Sequence, residues 1–224
     1  MTLRPTARLL AAGLVASLLG GGISFAGTND YCHLSEAPLS SQLAERPQAP
    51  EIHEQLKPLA DLLATGEGHY NSVNRGWAGD TPGGARSVFG RDLTTFTVGE
   101  IISLQRRGRI FAVGRYQFIP VTLRYAVNSS AVNTTQLFSE EVQDRLMAAL
   151  IVYKRPMIIT YLQGNHDNLS RVLDDLAREW ASVEYRYGRS YYSRGGNRAK
   201  ISRAQAAEVL KSIKAGWQHG AVLP

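Results

Sequence analysis

The feature that most restricts the fold of this chain is a glycine-rich stretch set between segments with helical periodicity. Residues 70–95 contain five glycines and one proline. Glycine and proline interrupt both helices and strands, so this stretch predicts a loop region with at most a short hairpin. On either side, apolar residues recur at intervals of three and four, as they do on the buried face of a helix. The sequence therefore predicts an α+β, mostly helical domain, with a small β-containing or irregular insert after its first helix.

Six segments carry the helical pattern together with signals for helix ends. The first covers residues 51–65, after which Gly66 and Gly68 are expected to end the helix. A capping box at Thr97–Glu100 opens the second, and Ser139 caps a long apolar run that Pro156 kinks or ends. The segment 114–127 is predicted to be a short helix or a turn followed by a helix, and two further helices cover 168–183 and 202–215, with Gly216 as the stop of the last one.

The N-terminus has the pattern of a secretory signal peptide. Arg4 and Arg8 precede the uncharged, mainly apolar run 9–19, three glycines follow, and Ser24-Phe25-Ala26 offers small residues for cleavage after Ala26. An uncleaved anchor is the alternative, but the run is short of the ~20 residues that span a bilayer. We expect removal of residues 1–26, a loose segment over 27–50, and a periplasmic or secreted protein without stable membrane insertion.

Composition excludes several classes of protein. The chain has 224 residues, is 44% hydrophobic and carries a net charge of +6. A disordered chain would contain fewer apolar residues and carry more net charge. The single Cys32 cannot form an internal disulfide, and we expect a lone thiol rather than a link to another chain. The histidines lack metal-ligand spacing and no nucleotide fingerprint occurs, so no metal and no cofactor are expected. The basic cluster Arg106–Arg109 could contact phosphate, but we expect it to be a solvated helix C-terminus. We expect a monomer that does not bind nucleic acid.

Glu67 is the candidate catalytic residue. It directly follows an apolar helical segment and has a glycine on each side, which would leave room for a bulky substrate. A carboxyl that loses hydration at a helix end has a raised pKa, and this suits it to general acid catalysis near neutral pH. Taken by itself, Glu67 fits better as an ordinary surface residue in a turn.

Two further segments follow Glu67 in order along the chain. They are Gly114-Arg115-Tyr116-Gln117 and Trp180-Ala181-Ser182, the latter followed by Tyr187-Gly188-Arg189. Together with Glu67-Gly68, they resemble the lysozyme-like superfamily, specifically the lambda-phage-type endolysins, which are lytic transglycosylases. The segment from Gly114 to Thr122 is also similar to one in the wider soluble transglycosylases. The resemblance covers about residues 51–217, which are predicted to form a lysozyme-like catalytic domain, with 218–224 as a tail.

This resemblance implies a function and roles for individual residues. The chain would cleave the MurNAc–GlcNAc β-1,4 bond of peptidoglycan glycan strands, its expected partner, with Glu67 as the single acid/base and 1,6-anhydro ends as the product. It also implies that Tyr116 and Gln117 line the sugar groove and that Tyr187 lies near the carboxyl. Two features depart from the family. Ala112-Val113 replaces a pair of small residues, and Tyr191–Arg198 is longer than expected, as either a substrate-facing or a packed loop.

Other functions remain open at the level of the sequence. A muramidase that hydrolyses the same bond needs a second carboxylate, for which Asp80 and Asp92 are the candidates, although Asp92 adjoins Arg91 as a possible structural partner. A chitin-active enzyme is a further alternative. A non-enzymatic wall-binding or inhibitory protein on a decayed lysozyme fold is less favoured, because such a protein would not need the four predicted site residues together.

Overall fold

The computed structural model describes residues 49–76 and 80–220. The predicted signal peptide, almost all of the segment 27–50, Cys32 and residues 221–224 lie outside the described residues. Everything described belongs to one compact unit, Glu45–Pro224. No described helix is both long enough and apolar enough to cross a membrane.

The described part of the chain is mostly helical, which confirms the α+β, mostly helical prediction. Its strands are short and form two antiparallel pairs. The helices are Ala49–Gln55 (α1), Lys57–Glu67 (α2), Gly84–Phe89 (α3), Val98–Arg106 (α4), Pro120–Asn128 (α5), Glu140–Ala149 (α6), Pro156–Leu162 (α7), Leu169–Glu179 (α8) and Arg203–Gly220 (α9). The strands are Val73–Asn74 (β1), Ala112–Val113 (β2), Glu184–Arg186 (β3) and Arg189–Ser190 (β4). Shorter 3-10 turns lie at Leu93–Thr95 and Ser193–Gly195.

The described residues of the glycine-rich stretch form no hairpin among themselves, which the sequence had allowed beside a plain loop. Its strand β1 pairs instead with the distant β2, in the register Val73↔Val113 and Asn74↔Ala112. The rest of the stretch contains α3 and the 3-10 turn at Leu93–Thr95. This long-range pairing brings the turn after β2, which begins at Gly114, next to the segment that follows α2: the Gly114 amide donates to the Ser72 carbonyl at 2.8 Å.

Local capping signals predict helix starts better than glycines predict helix ends. The capping box of Thr97 and Glu100 is present, and the Ser139 hydroxyl accepts from the Val142 amide, so both starts are confirmed. The predicted helix 51–65 is two helices, of which α2 runs through Gly66 and ends at Glu67, with Gly68 as its C-cap residue as predicted. Helix α9 continues through Gly216 to Gly220. Glycine inside a helix costs only about 1 kcal/mol, and tertiary packing outweighs that cost here.

A single apolar core supports the end of α2. Leu59 and Leu63 of α2 are fully buried, as are Leu146 and Met147 of α6 and Leu210 of α9. Burying a leucine side chain contributes roughly 1.5–3 kcal/mol, so these contacts fix the position of the whole helix. The packing of α2 against the core therefore fixes the position of its last residue, Glu67.

Candidate functional site

Glu67 lies at the carboxyl end of α2, where the helix leaves the core. Its side chain is partly buried, and its Oε1 accepts a hydrogen bond from the backbone amide of Ser182 at 3.0 Å. Ser182 follows α8 and Trp180, a ring that is itself buried. This hydrogen bond brings the sequence segment that contains Trp180 and Ser182 into direct contact with Glu67.

The glycines beside Glu67 serve close packing of the protein rather than substrate access. A Cβ at Gly66 would lie 2.5 Å from the Ser182 side chain, and one at Gly68 would lie 2.6 Å from the Ser72 hydroxyl. Separations below 3.0 Å are not tolerated without movement of the neighbour. The prediction that these glycines leave room for a bulky substrate is therefore corrected: the space is occupied by Ser182 and Ser72.

Lys200 completes the end of α2, and sequence reasoning missed it. Its Nζ donates to the Gly66 carbonyl at 2.8 Å, and its backbone amide donates to the Ser182 carbonyl at 2.7 Å. Val183 and Ile201 form a parallel bridge beside these contacts. No local pattern marks Lys200, because its partners lie in distant segments of the chain.

The surroundings of Glu67 favour its protonated form. Burial raises the pKa of the Glu67 carboxyl, while the Ser182 hydrogen bond and the positive charge of Lys200 partly oppose that rise. The negative charge of Asp80 raises the pKa of Glu67 further. A carboxyl whose pKa is raised in this way keeps a proton at higher pH and can donate it to a substrate.

Asp80 is the second carboxylate within electrostatic reach of Glu67. Burial raises the pKa of Asp80, and the charges of Lys200 and His69 oppose the rise. The other candidate, Asp92, accepts hydrogen bonds from Nε and Nη2 of Arg86, at 3.1 and 2.5 Å. The expected partner Arg91 binds Glu100 instead, so the pairing of Asp92 is corrected to Arg86.

Gln117 lies beside the residue that follows Glu67. Its amide nitrogen is 3.5 Å from the position of a Cβ at Gly68, and it donates to the Gly114 carbonyl at 3.1 Å. The backbone φ of Gln117 is +47°, in the left-handed region that a non-glycine residue adopts at a cost of order 1 kcal/mol. Such strain clusters at functional sites, so Gln117 remains a candidate substrate contact.

Tyr116 lies in the core, with 2% of its surface exposed. Its ring packs edge-on against Phe118, and its hydroxyl donates to an oxygen of Asp144 at 2.5 Å. Tyr70 donates to the same carboxylate at 3.0 Å and accepts from Arg115 at 2.5 Å. Tyr116 is therefore buried within a partly exposed polar network with Tyr70, Arg115 and Asp144. This position does not favour the predicted contact between Tyr116 and a sugar, which stays a prediction.

Tyr187 stands at the tip of the hairpin formed by β3 and β4, with 94% of its surface exposed. Tyr187 and Gly188 both have positive φ, which fits a two-residue type I′ turn. Among the described residues, no hydrogen bond joins Tyr187 to Glu67. Proximity of the Tyr187 side chain to the carboxyl stays a prediction.

No known protein-family model matches the chain, and neither do any of the curated proteins or solved structures compared with it. The described residues also hold no group of three or more His, Cys, Asp and Glu side chains that could bind a metal ion. The function of the site must accordingly be argued from its geometry.

Proposed function

We propose that the chain is an exported lytic transglycosylase with a lysozyme-like domain, which cleaves the MurNAc–GlcNAc β-1,4 bond of peptidoglycan. The observation that carries this proposal is the Glu67 carboxyl, partly buried at the end of α2 and held by the Ser182 amide at 3.0 Å. Its raised pKa matches the need of glycosidic bond cleavage for a proton donor near neutral pH.

The two oxygens of Glu67 have different roles in this reaction. Oε1 accepts from the Ser182 amide, which leaves Oε2 to carry the proton. Oε2 gives that proton to the glycosidic oxygen while the bond from this oxygen to C1 of the MurNAc sugar breaks. The carboxylate that results is stabilised by the Ser182 amide and by the charge of Lys200.

The second half of the reaction uses the same carboxylate as a base. Glu67 takes the proton of the sugar's own 6-hydroxyl as that oxygen bonds to C1, which forms the 1,6-anhydro ring and restores the acid. No water enters the product and no second carboxylate is required. A single carboxyl beside a fixed amide donor and a cation meets the requirements of both steps.

Hydrolysis of the same bond is the second candidate function, and Asp80 is the observation that favours it. The charge of Asp80 acts on Glu67, as a second carboxylate in a lysozyme-type site would. A muramidase would use Asp80 to activate water or to form a covalent intermediate. Asp92 is less suited to this role, because its carboxylate is engaged by Arg86.

The Glu67→Gln variant tests the role of the carboxyl, with purified peptidoglycan as substrate. Glutamine keeps an oxygen that accepts from Ser182 but cannot transfer a proton, so we expect activity to fall by about 10²–10⁴, with unchanged circular dichroism. Asp92→Asn is the matched control, since it removes a carboxylate of the same region. Near-normal activity of a folded Glu67→Gln protein would favour a different catalytic residue, and a native protein that binds peptidoglycan without cleaving it would favour a wall-binding protein.

Export is the part of the proposal that rests on the sequence alone. Cleavage after Ala26 would give a mature protein that begins at Gly27. N-terminal sequencing of the exported form measures this directly. A start at Met1 on a membrane-bound species would favour an uncleaved anchor.

A further inference from the structure

The segment that carries the hairpin forms a loop whose two ends are fastened beside Glu67. We call residues 183–199 the hairpin loop. At its base, the amides of Lys200 and Ile201 donate to the Ser182 carbonyl at 2.7 and 3.0 Å, and Val183 bridges Ile201. The same Ser182 donates to Glu67. Both ends of the loop therefore lie beside Ser182, the residue that binds the candidate catalytic carboxyl.

Three tyrosines of the hairpin loop, Tyr185, Tyr191 and Tyr192, pack on one another and on α8, whereas Tyr187 is exposed. Tyr191 lies edge-on to both Tyr185 and Tyr192, with ring centroids 5.1 Å apart in each case. The Tyr192 hydroxyl donates to the Arg178 carbonyl at 2.6 Å, and the Arg178 guanidinium lies over the Tyr191 ring. These rings are engaged in supporting the loop, so they are poorly placed to serve as its main substrate contacts.

Three arginines of the hairpin loop line a cavity. An open cavity of about 400 Å³ is lined by Arg189, Arg194 and Arg198, together with Ser190, Ser193 and Asn197. None of the three arginines forms an ion pair with a carboxylate in the described part of the chain, whereas nearby Arg186 and Arg203 both bind Asp174. The cavity thus gathers three uncompensated guanidinium groups with neutral hydrogen-bonding side chains around them.

This composition selects an anionic ligand with more than one charged group. Guanidinium groups bind carboxylate and phosphate oxygens through paired hydrogen bonds that are shorter and stronger than neutral ones. A volume of about 400 Å³ lies within the usual range of small-ligand sites and fits several residues of a peptide. The wall of the cavity contains no acidic side chain among its described residues that would repel such a ligand.

The cavity lies a short distance along the chain from the catalytic carboxyl. Arg198 is two residues before Lys200, so their Cα atoms are at most about 7 Å apart. Lys200 in turn binds the carbonyl of Gly66, the residue before Glu67. A ligand in the cavity would therefore be near the glycan bound at Glu67.

We propose that the Arg189–Arg194–Arg198 cavity binds the free carboxylates of the peptide stems that peptidoglycan carries on its MurNAc sugars. This inference rests on the proposed function for the identity of the polymer. The stems are the part of the substrate that brings several carboxylates next to the cleaved bond. The cavity would make the enzyme prefer stem-bearing glycan over bare glycan strands.

A binding titration tests this inference without any need for turnover. The probe is a synthetic stem tetrapeptide, L-Ala-γ-D-Glu-L-Lys-D-Ala, added to the isotope-labelled mature protein and followed by NMR. We expect shifts at the amides of Gly188, Ser190 and Asn197. Removal of the three charges in R189Q/R194Q/R198Q should weaken binding at least tenfold, because each charge-assisted contact is lost.

The matched control removes three charges elsewhere. Arg106, Arg107 and Arg109 are exposed and form no ion pair within the described residues, so R106Q/R107Q/R109Q lowers the net charge equally. It should leave the peptide affinity within about twofold. The same peptide with both carboxylates amidated should bind as weakly to the native protein as the free peptide binds to R189Q/R194Q/R198Q. If R189Q/R194Q/R198Q fails to fold, the single exposed change R194Q provides the same comparison.

Several outcomes would overturn the inference. These are an absence of shifts with the native protein, equal losses in the two triple variants, or undiminished binding of the amidated peptide. Tighter binding of a glycerol-phosphate polymer through the same arginines would assign the cavity to phosphate instead. Because the titration is independent of catalysis, binding by a protein without glycan-cleaving activity would refute the proposed function alone, and activity without binding would refute only this inference.

Discussion

The backbone amide of Ser182 donates to Oε1 of Glu67 at 3.0 Å and joins two positions that are 115 residues apart. This bond connects the end of α2 to the start of the hairpin loop. It depends on the absence of a side chain at Gly66, where a Cβ would lie 2.5 Å from the Ser182 side chain. The close contact between Gly66 and Ser182 therefore determines where the candidate acid Glu67 lies.

Adding a methyl group at Gly66 should disturb this contact. We expect Gly66→Ala to lower the free energy of unfolding by about 1–3 kcal/mol, because Ser182 must move, and to reduce activity as its amide shifts away from Glu67. Gly216→Ala is the control, since Gly216 lies in α9 with nothing within 4 Å of an added Cβ. That variant should gain about 0.5–1 kcal/mol. Thermal melts beside activity assays measure both, and a Gly66→Ala protein as stable and active as the native one would contradict the packing described here.

The pH dependence of activity should move in opposite directions in two variants. In the proposed mechanism, activity requires protonated Glu67, so it should fall as pH rises through the pKa of that carboxyl. The charge of Asp80 raises this pKa and the charge of Lys200 lowers it. Asp80→Asn should therefore shift the alkaline limb of the kcat/KM profile to lower pH, and Lys200→Gln should shift it to higher pH.

Asp92→Asn serves as the control for these profiles, because Asp92 is bound by Arg86 and is not among the main groups that shift the pKa of Glu67. Its profile should match that of the native protein. Shifts of the same sign in Asp80→Asn and Lys200→Gln would contradict the electrostatic roles. A folded Asp80→Asn protein as inactive as Glu67→Gln would make the enzyme a two-carboxylate hydrolase.

The stability of Glu67→Gln should exceed that of the native protein at neutral pH. The pKa of Glu67 is raised above its unfolded value of 4.5, so the folded state binds the proton more tightly and loses stability as pH rises through the folded pKa. Glutamine never ionises and avoids this loss. Each 1 kcal/mol of difference corresponds to about 2–4 °C in Tm for a chain of this size.

Melts recorded across pH distinguish this explanation from a general effect of the substitution. The difference in Tm should be largest above the folded pKa and should vanish well below pH 4.5, where the native carboxyl is protonated in both states. A difference that is constant with pH, or that favours the native protein at neutral pH, would show that burial does not penalise the ionised form.

Gln117 should contribute to substrate positioning rather than to proton transfer. We expect Gln117→Ala to lower kcat/KM by about tenfold, the loss of one hydrogen bond, with an unchanged pH profile. Gln117→Gly is the control for backbone strain, because glycine adopts a φ of +47° without cost. If Gln117→Gly is as impaired as Gln117→Ala, the side chain matters. If it has full activity, the strained backbone accounts for the effect.

The sequence indicated those parts of the fold that depend on local chemistry. The capping residues Thr97 and Ser139 act within their own helical turn, so their neighbours along the chain suffice to predict them. The sequence predicts the position of Glu67 at a helix end from the apolar pattern before it, but its catalytic role is predicted only through the resemblance carried by the two later segments. The pairing of Val73 with Val113 was missed, because no local signal states which distant strand a two-residue strand will join.

Contacts with distant partners could not be predicted from the sequence. The motif predicts Tyr116 in the sugar groove, which stays a prediction, and only the fold shows that its hydroxyl donates to Asp144 on α6 at 2.5 Å. No sequence signal marks Lys200 as a residue of the site, although its Nζ donates to the carbonyl of Gly66. A glycine in the sequence is compatible with a position that has no room for a side chain. Only the fold shows that Ser182 fills the space beside Gly66.

Mass spectrometry of the muropeptides released from purified peptidoglycan tests the central claim most directly. A single-carboxylate transglycosylase that uses Glu67 as acid and then as base must release products with 1,6-anhydro ends, and Glu67→Gln must release almost none. Water is not a reactant, so heavy-oxygen water should leave no label in these ends. Reducing ends that carry the heavy oxygen would contradict the claim and would assign the site to hydrolysis.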